Sequence, residues 1–272
     1  LMTGCPAATC LLSAALVALL VTGFEAVSLR GSDNLFVPLA VCVIMSKITA
    51  KPLSEIVRQN ISLAAICAGI GLLAWRTRVF NVGAAIAAVL FAYAAWSLGS
   101  WQWALPVFLG LFAYLGAEAL VPVPPERARG VRVRTVTRAL LPPLTLLILA
   151  NAFGNYGFHF GPYTAAVAVV LSFALWTFLR HRWPESRRKR LIGEMTACTA
   201  ALLLTALPLW LLQSPGAAPL AVVSAAAGGA CLLDWLCTNA RRSDTSEEIW
   251  GASKVLLVFG AAGMAGFFAR SF

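Results

Sequence analysis

Residues 7–24 read AATCLLSAALVALLVTGF, a run without a single charged side chain. It is too long and too uniformly apolar for an alternating strand, and about 20 such residues as a helix cross the hydrocarbon core of a bilayer. A helix also satisfies every backbone N–H and C=O within itself, which lipid demands. Comparable runs follow at approximately 35–50, 61–75, 79–96, 104–121, 139–153, 163–179, 196–212, 219–237 and 250–268. The fold class that follows is all-α, a polytopic transmembrane helical bundle of about eight to ten spans. Residues 1–272 are expected to form a single integral membrane domain.

Composition agrees. The chain is 60% hydrophobic and only 12% charged, with a mean hydropathy of +0.82. Soluble domains carry about 25% charged residues, so this chain lacks the polar surface to cover a water-exposed globule. The lipid bilayer is therefore its first expected partner.

A formal charge of +10 raises the question of nucleic acid, and the placement of the charges excludes it. Arg76 and Arg78, the arginines of 122–138, those of 180–190, and Arg241 and Arg242 sit in short connections between apolar runs. The alternating connections 97–103, 154–162 and 213–218 contain no Lys or Arg. That alternation is the mark of basic loops held on the cytoplasmic side, here of a bacterial plasma membrane. Lys47, Lys51 and Arg58 break the pattern. The runs beside them are short and one contains Pro38, so a broken or re-entrant helix is expected within 35–75.

Seven cysteines are present, but no CxxC, and neither histidine lies close to a cysteine. Zinc-ligand spacing is absent, and no metal or cofactor is expected. The residues with chemical potential are acids in or beside apolar runs, because holding them there costs several kcal/mol. Glu25, Asp33 and Asp234 are the candidate catalytic residues. Asn34, Asn151 and Asn155 are candidate substrate-binding amides. Trp176, Trp210 and Trp235 are candidate aromatic walls, able to stack on a hydrophobic chain or hold a cation over the ring face. Residues 151–159, NAFGNYGFH, mix amides, aromatics and a histidine at a connection without basic residues.

The segment Leu11–Val43, LLSAALVALLVTGFEAVSLRGSDNLFVPLAVCV, resembles the C-terminal end of the prenol (phytol and dolichol) kinase-like membrane family. There a helix ending in Glu-Ala is followed by Gly-x-Asp-Asn-Leu-x-Val-Pro-Leu. The matching positions are Glu25, Asp33, Asn34, Leu35, Val37, Pro38 and Leu39. Residues 77–120, with Gly-x-Trp-x-Trp at 99–103, resemble an uncharacterised membrane family found fused behind such kinases. The resemblance divides the chain into a kinase-like portion, 1–60, and a second membrane portion, 61–272. It implies a membrane-embedded enzyme acting on a hydrophobic prenyl-chain substrate.

The kinases' Gly-Asp and Gly-Lys elements for nucleotide and magnesium do not occur here. Two chemistries stay open. One is acid-initiated cyclisation of a prenyl chain, which needs a protonated carboxyl in an apolar pocket and no metal. The other is CTP-dependent phosphorylation, with arginines on the triphosphate and Asp244, Glu247 and Glu248 on magnesium. A transporter without covalent chemistry is the alternative of a different class. Glu25 and Asp33 lie on either side of a connection containing Gly31, so the chain can fold back and bring both carboxyls to one pocket.

Overall fold

The computed structural model describes residues 6–27, 38, 41–42, 44–45, 48, 51–120, 131, 133–180, 192–193, 195–205, 225, 228–229, 233 and 257–263. Its elements are α1 (Ala7–Val27), α2 (Leu53–Thr77), α3 (Val82–Ala94), a π-helical turn (Ala95–Gly99), α4 (Trp101–Leu120), α5 (Val133–Phe153), α6 (Tyr156–Arg180) and the shorter apolar helix α7 (Met195–Thr205). Among the described residues there is no strand, and one isolated parallel bridge joins Phe80 to Val131. Among the described residues, five helices are long and apolar enough to cross a membrane: α1, α2, Val82–Gly99, α5 and the His159–Leu179 stretch of α6. The protein is an all-α membrane helical bundle, as the apolar runs require.

The chain forms two compact units. The first comprises residues 1–93 with 129–136. In it α1 packs on α2, tied by Asn60, whose side-chain amide reaches the Leu12 carbonyl at 3.2 Å and the Ile56 carbonyl of its own helix at 2.9 Å. Gly23 lets α1 approach α3, since a Cβ there would stand 3.1 Å from Leu90. Helix α2 starts after Pro52 and ends at Arg78, whose left-handed backbone (φ 54°) donates its N–H back to Ala74. Asn81 then caps α3, its side-chain oxygen accepting from the Ala84 N–H at 2.8 Å.

This unit resolves part of the irregular region. The run 61–75 lies inside one continuous 25-residue helix, so no break occurs there. Most of 35–50 lies outside the described residues. The charges that break the loop pattern are partly neutralised, because Glu55 pairs with both Lys51 at 3.4 Å and Arg58 at 2.7 Å. Deeper in, Gln59 is almost fully buried. Its amide nitrogen reaches Glu55 at 3.1 Å and its oxygen accepts from Tyr93 at 2.7 Å.

The second unit comprises residues 94–128 and 137–272. Helix α6 is its centre. Ala165, Ala166, Ala168 and Val169 are fully buried in a core shared with Ala139 of α5 and with Val258, Ala261 and Ala262. A second core joins Leu171, Leu175 and Trp176 to Ala197 and Ala201 of α7. Small side chains let these helices approach closely, which is how spans associate where lipid removes the hydrophobic drive between them. Gly110 does the same for α4 and α6, a Cβ there falling 3.2 Å from Leu171. Proline enters α4 (Pro106), α5 (Pro142, Pro143) and α6 (Pro162) without ending any of them.

Candidate membrane-interface site

In the second unit, the ends of two connections without basic residues, 97–103 and 154–162, come together. The π-helical turn Ala95–Gly99 is followed by Ser100, which takes φ 103°, ψ 175°, a backbone region populated almost only by glycine. Ser100 donates its N–H to Trp96 and its carbonyl receives the first N–H groups of α4, from Trp103 and Ala104. Gly99 is required here, because a Cβ would lie 2.5 Å from the Trp103 ring. The Gly-x-Trp-x-Trp motif thus acquires a physical reason: its first and last residues occupy one another's space.

Trp103 is the hub. It is buried, not an interfacial belt residue as its place near a span end suggests. It meets Tyr156 edge-on at 6.0 Å, Phe160 at 5.2 Å and Tyr163 at 4.7 Å between ring centres. Those three residues recur at four- and three-residue steps and so share one face of α6. Tyr163 is fully buried and donates its hydroxyl to the Trp103 carbonyl at 2.8 Å. Trp101, by contrast, is half exposed, as are Trp75 and Phe153 to a greater degree.

Asn151, near the end of α5, donates from its amide nitrogen to the Leu98 carbonyl at 3.3 Å and to the Tyr156 oxygen at 2.7 Å. Gly154 makes the turn with a left-handed backbone, φ 65°. The Asn155 carbonyl accepts from His159 Nδ1 at 2.8 Å. A carbonyl can only accept, so His159 carries its proton on Nδ1.

No family model, curated protein or solved structure matches the chain. The site is therefore read from its own geometry.

Of the sequence-derived candidates, Asn151 and Asn155 lie together at this turn. Trp176 does not join them. Twenty residues along α6 from Tyr156 place it roughly 30 Å away, packed in the core with Leu175 and Ala201. Glu25 belongs to the first unit, exposed on α1 two positions before its last residue, Val27. Asp33, Asn34, Asp234, Trp210 and Trp235 lie outside the described residues, as do Asp244, Glu247 and Glu248. Tyr156 falls within the 151–159 stretch that the sequence singles out, whereas Tyr163 and the central place of Trp103 were missed. The available signal was tyrosine in apolar surroundings, since a buried phenol needs a partner for its hydroxyl.

Proposed function

We propose that this chain is an integral membrane enzyme acting on a prenyl-chain lipid, on a scaffold related to the prenol kinases, with its basic loops in the cytoplasm of a bacterial cell. The observation that carries this reading is the position of Glu25. It is the one acid of α1, exposed within the last turn of an otherwise apolar helix. A carboxylate there opposes the helix dipole by roughly 0.3–1 kcal/mol, so helix stability does not account for it. It stands where Glu-Ala opens the pattern that continues through Gly31, Asp33, Asn34 and Pro38. An acid at the end of a span meets the boundary between a lipid's chain and its polar end.

The test is conversion by membranes containing the chain. Farnesol, geranylgeraniol and an epoxidised or unmodified prenyl chain are supplied with and without labelled CTP. A product isomeric with its substrate indicates proton-initiated cyclisation: the acid protonates one end of the chain, a C–C bond closes, and a proton is lost again. Label on the alcohol indicates phosphoryl transfer from CTP. Turnover should fall at least a hundredfold in Glu25→Gln, with expression unchanged. Failure to convert or label any prenyl compound overturns the reading.

A further inference from the structure

The turn joining α5 to α6 presents a hydrogen-bonding pair that its packing does not use. The Leu98 carbonyl can only accept, so the amide nitrogen of Asn151 must face it. The same nitrogen also donates to the Tyr156 oxygen. These two contacts fix both side chains. Asn151 Oδ1 is turned away from Leu98 as an acceptor, and the Tyr156 oxygen, already receiving the amide proton, keeps its own O–H to give. Among the described residues none accepts from that hydroxyl or donates to Oδ1. Tyr156 is 37% exposed, beside the exposed Phe153.

One donor adjacent to one acceptor is the complement of a hydroxyl group, which carries one proton and two lone pairs. A phosphate or carboxylate satisfies the tyrosine but sets oxygen against Oδ1, and an ammonium fails in the opposite sense. The surrounding connections, 97–103 and 154–162, contain no Asp, Glu, Lys or Arg to hold a charged headgroup. Exposed Trp101 and Phe153 mark the depth at which a lipid's polar end meets its chain. We propose that Asn151 and Tyr156 bind the hydroxyl of an uncharged amphiphile drawn from the bilayer. This site is independent of the chemistry proposed for Glu25.

The test uses the whole chain in phosphatidylcholine nanodiscs, whose lipid carries no hydroxyl. Retention of labelled hexadecanol is compared with its methyl ether, hexadecane and hexadecyl phosphate. The alcohol should be held roughly three- to tenfold more tightly than the ether, which cannot donate to Asn151. Tyr156→Phe should weaken alcohol and ether alike and leave hexadecane unchanged. Repeating the series with dioleoylglycerol and geranylgeraniol identifies which membrane alcohol is the natural source. Equal retention of alcohol, ether and hydrocarbon, or preference for the phosphate, overturns the proposal in the wild-type protein alone. So does a Tyr156→Phe variant that holds the alcohol as tightly as its parent.

Discussion

Gln59 and Tyr93 meet inside the first unit at 2.7 Å, both almost fully buried. Polar pairs between spans contribute on average about 0.6 kcal/mol and at most about 1.7. Gln59→Leu should therefore lower stability by about 1 kcal/mol. Combined with Tyr93→Phe it should cost less than the sum of the two single changes, as a double-mutant cycle in detergent will show. Gly99→Ala is a different kind of lesion, because a methyl group there overlaps the Trp103 ring. Overpacking of this sort costs typically 1–3 kcal/mol, read as a lowered melting temperature. At this scale the sequence was only partly informative. Asn151 and Asn155 stood out as amides between apolar runs. Gln59 did not, since it follows Lys51, Glu55 and Arg58 and reads as part of a solvated helix start. Its partner is 34 residues away, a distance that only tertiary structure closes.

For whole helices the reading from sequence was far more complete, and the reason is physical. Lipid imposes length and polarity on every span, so apolar runs report helices directly. The run beginning at Ala7 became α1, extended only to Val27. The run 61–75 looked short because Glu55, Arg58, Gln59 and Asn60 interrupt its apolar character, yet the helix passes straight through them. Their side chains bond within the unit, to Lys51, Glu55, Tyr93 and Leu12, which is how a helix carries polar groups across its first turns. Contact between helices is less legible. Gly110 looks like any glycine in a span, but it fits against Leu171. Gly110→Leu should force α4 from α6 and destabilise by a few kcal/mol, whereas Gly110→Ala needs Leu171 to yield only slightly. Thermal unfolding of the two variants should separate by several degrees.

At the scale of the molecule, charge alternation makes a claim about sidedness. In a variant whose seven cysteines are replaced, Arg78→Cys should react with an impermeant thiol reagent only after the inner face is opened. Asn155→Cys should react in intact cells. The opposite pattern would reverse the orientation and place the Asn151–Tyr156 pair inside the cell. Composition and loop charge carry this expectation without any tertiary contact. They say nothing of the two compact units, whose limits fall inside helices, at Tyr93 and Val136. No apolar run announces a boundary in its own interior.

The backbone at Ser100 has a consequence for handling the protein. A side chain held at φ 103°, ψ 175° costs of order 1–3 kcal/mol. Glycine removes that cost while adding roughly 0.5–1 kcal/mol of chain entropy. Ser100→Gly should thus raise the melting temperature of the purified protein, although a hydroxyl is lost and nothing is gained in packing. Removing these two heavy atoms, Cβ and Oγ, would then be the first choice for a longer-lived detergent sample. A melting temperature unchanged or lowered in Ser100→Gly would show instead that the serine side chain bears no net strain at this turn.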